Sequence, residues 1–271
     1  MIRILTVASL VLLSAAAHAA DMQESAGEGG LLSGGWSLTL GASGYFAPEY
    51  EGDDKMVFMA VPLVSLGRTD TITKFSSRND NISLGLIDNG TFRAGIAGKI
   101  LFGRDEDDSD DLIGLDPVRW GGELGLFAEV YPTDWLRLRG ELRHGIRTHD
   151  AFVGDVAADA FYDVTPTIRV SGGPRASFAS EDYFDTYYGV NAAESVASGL
   201  GAFDPDGGGL KSLGVGGAVT WQATDKITTS LFGEYARLQG DAADSTLVKE
   251  RGSADQFTVG VSATYRFDFS F

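Results

Sequence analysis

Two histidines carry the acid–base chemistry that the chain could perform once its N-terminal leader is removed. A Ser–His hydrolase needs a histidine beside a serine, and a His–Asp protease needs a histidine with paired aspartates. His144 falls on the apolar face of an alternating segment, and His149 directly precedes Asp150 in a polar stretch. A His–Asp pair that is adjacent only in sequence is a common coincidence. The pattern therefore predicts no catalytic residues and no enzyme.

A short acidic stretch could hold Ca²⁺, which prefers several carboxylate oxygens. It contains Asp105, Glu106, Asp107, Asp108, Asp110 and Asp111. The stretch lacks the glycine and the spacing of an EF-hand, and it is more typical of a solvated outer loop that shares divalent ions with lipopolysaccharide phosphates. The glycine runs at 207–209 and 214–217 precede no helical pattern, so they do not predict a nucleotide loop. We predict no metal site and no cofactor.

The first 20 residues have the pattern of a secretory signal peptide. A short positive start at Arg3 is followed by an apolar run, Ile4 to Ala17, and by Ala17-His18-Ala19, a small-x-small cleavage site. The apolar run is too short for a membrane anchor, which needs roughly 20 apolar residues. Residues 21–35, which follow, are polar and glycine-rich, and we expect a flexible periplasmic stretch there.

The amino-acid composition limits the classes of partner that the exported chain could bind. The full sequence of 271 residues includes no cysteine and has a formal net charge of −17, which becomes −18 once the leader with Arg3 is removed. Binding to nucleic acid requires clustered Lys and Arg, so this acidity argues against nucleic acid as a partner. After the leader, no apolar run is long enough for a spanning helix. A closed barrel can still cross a bilayer, because every backbone group is then paired between strands.

The C-terminal segment alternates with period two, as a strand with one apolar face does. The odd positions from Phe257 to Phe271 are all apolar, and the even positions between them are small or polar. The run is longer than a usual strand of a soluble sandwich. It also ends the chain on an aromatic residue, which resembles the assembly signal of outer-membrane barrels.

A second segment places charges on one strand face. Leucines at 136, 138 and 142 alternate with four arginines and a glutamate: Arg137, Arg139, Arg143, Arg147 and Glu141. In a barrel such a face points into the lumen, where Glu123, Glu129 and Glu141 can pair with the arginines. Phe127 interrupts the polar face of the segment that contains Glu123 and Glu129. We expect these charges to narrow the lumen.

The fold prediction is an all-β, closed antiparallel transmembrane β-barrel of about 12 strands, with 10 possible, over residues 36–271. The predicted strands are 36–46, 56–66, 69–76, 80–87, 91–103, 118–131, 134–147, 157–171, 174–184, 209–222, 226–239 and 256–271. Short turns, predicted at 67–68, 88–90, 131–134, 171–174 and 223–225, alternate with longer loops. Outer-membrane barrels have short periplasmic turns and periplasmic termini. Predicted interfacial aromatic residues are Trp36, Trp120, Tyr131, Trp135 and Trp221.

Four motifs resemble one family. The segment from Tyr187 to Pro205 reads YYGVNAAESVASGLGAFDP and is similar to the hallmark of the MipA/OmpV family of outer-membrane proteins. The match extends to Pro48-Glu49-Tyr50-Glu51-Gly52-Asp53, where the family prefers Ser after the glycine. It also includes 243–248, where Thr246 replaces the family's usual Pro, and a closing Tyr265-Arg266-Phe267.

The resemblance implies an outer-membrane scaffold that links a lytic transglycosylase to a peptidoglycan synthase. Other members imply an osmoregulated or adhesive surface protein, and barrel architecture alone favours a pore or permeability protein. The other expected contacts are outer-membrane lipid and lipopolysaccharide. We further expect the segment 187–205 to pack inward as a partial plug, because Tyr187, Tyr188, Leu200 and Phe203 are too apolar for a free loop.

Overall fold

The computed structural model describes residues 35–68 and 74–270, and these residues form one sheet of eleven antiparallel strands. The strands are β1 Gly35–Pro48, β2 Met56–Arg68, β3 Ile82–Asp88, β4 Phe92–Leu101, β5 Gly121–Thr133, β6 Leu136–Ile146, β7 Phe152–Thr165, β8 Ile168–Ala179, β9 Gly209–Gln222, β10 Ile227–Leu238 and β11 Asp255–Ser270. The signal peptide predicted at 1–20, most of the stretch predicted at 21–35, and Phe271 lie outside the described residues.

The strands follow the order β2-β1-β11-β10-β9-β8-β7-β6-β5-β4-β3, so β1 pairs with the last strand of the chain. The sheet curls, and inward side chains from β1, β6, β8 and β10 reach the same segment, residues 74–81. Because successive neighbours alternate in direction, the two edge strands, β2 and β3, run in the same direction.

The two faces of the sheet differ as the alternation predicts. Outward side chains such as Leu124, Leu126 and Leu142 are more than half exposed. Their neighbours Glu123 and Arg143 point inward and are 4% and 1% exposed. Many large apolar side chains are exposed on the outward face of the sheet, and the charged side chains are buried on the inward face. This distribution fits an outward face that contacts an apolar environment such as lipid.

Connections differ in length at the two ends of the sheet. Tight turns join β3 to β4, β5 to β6, β7 to β8 and β9 to β10, and the described chain begins and ends at this same end, where Gly35 lies opposite Ser270. The other end carries the long connections and the helices: α1 Glu181–Tyr188, α2 Ala192–Ser198, α3 Gly240–Asp244 and α4 Thr246–Arg251, with a 3-10 turn at Asp110–Leu112. None of the helices in the described residues is long and apolar enough to span a membrane.

The prediction of a third strand at 69–76 is not matched by the structure. Residues 69–73 lie outside the described residues, and residues 74–76 are in no strand. Arg68 lies opposite Trp36 at the short-turn end, whereas β3 begins with Ile82 at the other end. Residues 74–81, which lead into β3, lie in the interior and are in no strand. The described residues therefore hold eleven strands, where the sequence analysis predicted twelve.

Two predicted turns are wrong. Gly67 and Arg68 lie within β2, paired with β1, and residues 171–174 lie within β8. The chain turns instead at Pro166-Thr167, where the Thr165 hydroxyl accepts the amide of Ile168 at 3.0 Å. Gly172 and Gly173 are in the strand because of a close approach: a Cβ on Gly173 would lie 1.8 Å from the carbonyl oxygen of Ala158. The predicted strands at 157–171 and 174–184 are thus shifted.

Two predicted orientations also need correction. Tyr131 was expected on the outer rim, but it shares the inward parity of Glu129 and is 7% exposed. Arg147 was expected in the lumen, but β6 ends at Ile146 and Arg147 has a φ of 75°. Its guanidinium lies 4.0 Å from the ring of Trp120, on an exposed side chain. Trp120, Trp135 and Trp221 are more than half exposed, as an interfacial position requires.

Candidate functional site

The interior of the curled sheet is occupied by residues 74–81, which we call the lumen segment. At its start, the Lys74 carbonyl accepts from the guanidinium of Arg169 at 2.7 Å, near the short-turn end. At its end, the Asn81 amide donates to Glu141 on β6 at 2.7 Å. Between them, the Ser77 hydroxyl accepts from Arg175 on β8 at 3.0 Å. The segment therefore runs along the interior wall and takes the space of a channel.

One bidentate ion pair attaches the lumen segment to β6. Both Asp80 oxygens accept from Arg137, at 2.6 and 2.8 Å, and Arg137 is 1% exposed. The same guanidinium donates to Asp159 on β7 at 2.6 Å. Asp80 also accepts the amide of Ser77 at 2.8 Å, which fixes the turn that presents it. Bidentate guanidinium–carboxylate pairs combine strength with orientation.

Above this pair, arginines and glutamates of β5 and β6 alternate in a ladder, as predicted. Arg139 donates to Glu129 and to Glu141, both at 2.7 Å, and Arg143 donates to Glu123 at 2.8 Å and to Glu141. Phe127 belongs to the same face and lies beneath the Arg139 guanidinium, 4.2 Å from ring to charge. Its position on the polar face is explained by this cation–π contact.

Aromatic rings hold the lumen segment at the short-turn end. Phe75 is 6% exposed and stacks on Phe161 with ring centroids 4.8 Å apart and an interplanar angle of 6°. Tyr131 packs on the same ring edge-to-face and donates to the Phe75 carbonyl at 3.3 Å. Phe75, Tyr131 and Phe161 therefore form a small buried cluster at this end of the interior, to which the inward-facing Tyr131 contributes.

On the opposite wall, Arg78 inserts between two rings. Its guanidinium lies 4.5 Å from the ring of Tyr45 on β1 and 4.0 Å from that of Phe232 on β10. The next residue, Asn79, donates to Glu234 on β10. Since Asp80 binds β6, the lumen segment touches opposite walls within three residues. The lumen segment therefore crosses the interior at that level, with the side chains of Arg78 and Asn79 still exposed.

The long-loop end is closed by α1 to α4, which we call the cap. Its apolar core joins α1, α3 and α4 to the upper ends of β7, β8 and β10 through a cluster of buried residues: Ala151, Val153, Ala179, Tyr183, Phe184, Tyr188, Leu238, Ala242 and Val248. A second cluster joins the remaining loops through Tyr50, Leu112, Val190, Leu200 and Leu247. The apolar side chains of the segment 187–205 are thus packed within the cap, and its role as a plug of the lumen stays a prediction.

The residues that carry the family hallmark build the cap. Asn191 and Glu194 form a reciprocal capping box at the start of α2. Gly199 ends α2 with a φ of 80°, a conformation that suits glycine. The Ser195 hydroxyl donates to the Leu200 carbonyl at 2.7 Å, and Ser245, fully buried, donates to the Tyr188 carbonyl at 2.7 Å. These contacts give the hallmark a structural explanation.

The motif at 48–53 joins the cap to the barrel wall. Glu51 accepts from Lys211 on β9 at 2.7 Å and from the Tyr183 hydroxyl at 2.9 Å. Burial alone would raise the pKa of Glu51, but the charge and hydrogen bond of Lys211 lower it below its usual value. Burial, with Glu51 nearby, raises the pKa of Tyr183 and raises that of Tyr187 to about 12. Both phenols stay protonated, and that of Tyr183 is a donor at neutral pH.

The histidines do not form a catalytic arrangement in the described part of the chain. His149 is buried, its Nδ1 accepts the amide of Ala151 at 3.2 Å, and its Nε2 lies 3.4 Å from Glu123. His144 points outward and lies 3.4 Å from Asp150. Neither is hydrogen-bonded to a serine among residues 35–68 and 74–270. His149 instead packs edge-to-face against the neighbouring rings of Tyr183 and Tyr187 and supports the cap.

The acidic stretch folds as a loop with internal contacts. Asp105 accepts the amide of Asp107 at 3.0 Å, and Ser109 accepts that of Asp111 at 3.4 Å. Asp111 pairs with Lys55 at 2.5 Å, which links this loop to the β1–β2 connection. Within the described residues, no group of three or more potential ligands is placed to hold a metal ion.

Sequence reasoning missed the lumen segment and the Lys211–Glu51 pair. The signal for the first was a polar run, Arg78-Asn79-Asp80-Asn81, at a position predicted to join two strands. Such a polar run fits a chain that lies among charged side chains. The lysine gave no signal, because one lysine at the start of a strand is common and its partner lies 160 residues away.

Comparisons with known proteins agree with the sequence resemblance. A family described as "MltA-interacting protein MipA" matches residues 40–267. Among curated proteins, no sequence matches the chain. Solved structures with some likeness include Neisserial surface protein A, at 11% identity over 86% of this chain and 99% of that one, with a TM-score of 0.28. Others are a bacterial polysaccharide outer-membrane secretin, at 10% identity over 86% and 98%, with a TM-score of 0.44, and OprG from Pseudomonas aeruginosa, at 11% over 87% and 97%, with a TM-score of 0.27.

Proposed function

The chain belongs to the MltA-interacting protein family, and we propose that it is an outer-membrane barrel with a filled interior that acts as a scaffold for murein enzymes. The observation that supports a scaffold over a diffusion pore is the lumen segment, held to opposite walls by Arg78 and Asp80. The cap adds a second closure at the long-loop end. A barrel of this kind offers surfaces to partners and no wide path to solutes.

Conductance in planar lipid bilayers tests the filled interior. The purified full chain should insert without producing stable open-channel steps at neutral pH, because both the lumen segment and the cap would have to move. A porin reconstituted in parallel gives the positive control for the bilayer. Long-lived uniform steps from the unmodified protein would favour the pore alternative and remove the argument for a filled barrel.

A complete barrel also requires that the backbone N–H and C=O groups on the free edges of its two edge strands find hydrogen-bond partners. Unpaired backbone groups in a bilayer cost several kcal/mol each, and β2 and β3 are the two edge strands of the described sheet and run in the same direction. We therefore propose that β2 and β3 close the barrel as a parallel pair. Because the chain has no cysteine, a matrix of double-cysteine variants on β2 and β3 gives a clean test. Ala42 and Ala263, which are register partners, provide the positive control.

Localisation and processing follow from the same proposal. The chain should be recovered in the outer-membrane fraction, and the mature protein should begin at residue 20 or 21, as N-terminal sequencing would show. Recovery in the inner-membrane fraction with the leader intact would contradict both the signal peptide and the barrel.

The scaffold role needs a periplasmic contact surface, and the tight turns provide little. A stable interface buries more than about 1,000 Å² in total, so we propose that residues 21–35 contribute to it. A reversible cross-link in living cells, followed by purification from outer membranes, should recover a lytic transglycosylase or a peptidoglycan synthase. Deletion of residues 21–34 should abolish this recovery while leaving the folded barrel in the membrane. Recovery of lipopolysaccharide and assembly machinery alone would exclude the scaffold.

A further inference from the structure

At the long-loop end of the sheet, Arg147 leaves the alternation of β6 and turns outward. The buried arginines Arg137, Arg139 and Arg143 point inward on that strand, and an unbroken alternation would place Arg147 with them. Its φ of 75° instead lies in the left-handed region, which residues other than glycine rarely adopt and which costs free energy. Its guanidinium lies over the ring of Trp120 on the outward face, 4.0 Å from the ring centroid.

Two glycines make room for this turn. A Cβ on Gly121 would lie 2.1 Å from the hydroxyl of Thr148, and a Cβ on Gly145 would lie 2.2 Å from the imidazole Nδ1 of His149. The chain after Arg147 therefore folds inward over both glycines, and His149 is buried there. Because its two successors take the inward space, the arginine side chain lies on the outside of the wall.

The Arg147 guanidinium has hydrogen-bond donors to spare. It contacts the ring of Trp120, and none of its N–H groups donates to an acceptor within residues 35–68 and 74–270. The chain has 38 acidic and 21 basic side chains, so carboxylates outnumber the cations that could pair with them. Arg237, exposed at the same end of β10, donates to both oxygens of Asp255, at 2.9 and 3.0 Å. Arg147 lacks such a partner and is open to an anion from outside the protein.

The surroundings of Arg147 favour a lipid anion over a soluble one. Leu124, Ile146 and Phe152 lie next to it on the outward face, toward the middle of the sheet, and each is more than half exposed. Trp120 is 60% exposed at the edge of this apolar surface, where indole rings collect in membrane proteins. A guanidinium at that level meets lipid headgroups, and its fork of N–H donors matches two oxygens of a phosphate.

We propose that Arg147 and Trp120 bind the phosphate monoester of an acylated lipid in the surrounding membrane leaflet. The guanidinium takes two phosphate oxygens, the indole ring holds the guanidinium in place, and the acyl chains lie on the neighbouring apolar side chains. Asp150 is the acid nearest to Arg147 in the sequence, and it lies 3.4 Å from His144 without pairing with the arginine. The inference rests on the membrane barrel of the proposed function and is independent of the scaffold role.

A titration of the full mature protein in non-ionic detergent, read by native mass spectrometry, tests this proposal. The probe is didecanoyl phosphatidic acid, and didecanoyl glycerol is its counterpart without the phosphate. The phosphatidic acid should form one saturable adduct and bind at least tenfold more tightly than the glycerol lipid. Arg147→Gln should weaken its binding about tenfold or more. Arg237→Gln removes an exposed arginine that already has a carboxylate partner, and it should leave the affinity unchanged.

Arg147→Gly separates binding from folding. Glycine suits a φ of 75°, so this variant keeps the turn and should retain or raise the unfolding temperature, yet lose the phosphatidic acid adduct. Unchanged affinity in Arg147→Gly or Arg147→Gln, or equal binding of the two lipids, would overturn the proposal. Displacement of phosphatidic acid by millimolar inorganic phosphate would overturn it too, because the site would then serve a soluble anion. These readouts do not involve conductance, membrane fractionation or murein partners, so a failure here leaves the barrel and the scaffold to their own tests.

Discussion

Replacing Asp80 by Asn should release the lumen segment from β6 without changing the shape of the side chain. The wild-type carboxylate accepts two hydrogen bonds from Arg137, at 2.6 and 2.8 Å, in a setting where Arg137 is 1% exposed. The amide can accept only one of them. Hydrogen bonds to charged groups contribute about 1.5–3 kcal/mol each. Arg137 remains paired with Asp159 and Glu129 in the variant. The lost free energy is therefore that which holds the lumen segment against β6.

Backbone hydrogen exchange measures this release directly. A loss of about 1.5–3 kcal/mol in local opening corresponds to exchange that is roughly tenfold to a hundredfold faster across residues 74–81. The control is Asp255→Asn, which breaks an exposed ion pair in which both carboxylate oxygens accept from Arg237, at 2.9 and 3.0 Å, with no contact to the lumen segment among the described residues. That pair is solvent-exposed, and exposed pairs contribute about 0–1 kcal/mol. Equal exchange rates in the two variants would show that Asp80 does not hold the segment.

Three further changes test the cap, the strand register and the aromatic cluster. Glu51→Gln should lower the unfolding temperature at pH 7 by leaving Lys211 unpaired. The pKa of Glu51 is lowered on folding, so its contribution is present above the unfolded pKa and disappears as pH falls through the folded pKa; the difference from wild type should vanish in acid. Gly173→Ala should prevent folding to the heat-modifiable band on gels, because its Cβ would lie 1.8 Å from the Ala158 carbonyl oxygen, whereas Gly209→Ala meets no atom within 4 Å and should fold normally. Phe75→Ala should cost about 3–5 kcal/mol by emptying its stacked site against Phe161, and an unchanged unfolding temperature would refute that packing.

The positions of most strands could be predicted from the sequence because the alternation of apolar and polar side chains involves every residue of a strand. The inward charges of β5 and β6 were assigned correctly from parity alone, and Arg139 and Arg143 pair with the predicted glutamates. The alternation also predicts an inward orientation for Tyr131, because it lies two residues after Glu129 on the same strand face. Its assignment to the outer rim followed the usual location of tyrosine and overrode the alternation.

Turns and crossings were less predictable, because they depend on contacts between distant residues. Gly172-Gly173-Pro174 has the composition of a turn, but the strand needs glycine at 173 for its close approach to Ala158. The lumen segment is fixed by Arg137, Arg175 and Phe232, which lie 57 to 154 residues away in the chain. No local pattern encodes such partners, so residues 74–81 were predicted as the end of one strand, a short connection and the start of the next strand.

The family hallmark explains the shape of the cap better than it explains a partner. Asn191, Glu194 and Gly199 are used in capping α2, and Ser245 is used in holding α1. A partner would have to bind elsewhere, since these groups face one another. The resemblance therefore supports the fold directly and the scaffold role only through the family description.

Two closures act in series in the interior, and they are attached independently. Releasing the lumen segment breaks the Asp80–Arg137 pair and unstacks Phe75, which together cost about 4 kcal/mol or more. That cost keeps the released state near one molecule in about a thousand. The cap is held through Glu51 and Ser245, which share no contact with the segment. A path across the barrel needs both to open at once, so an open pore would be rarer than either event. The buried ion pairs of this protein thus stabilise the closed interior, which favours a function at the protein's surfaces over conduction through it.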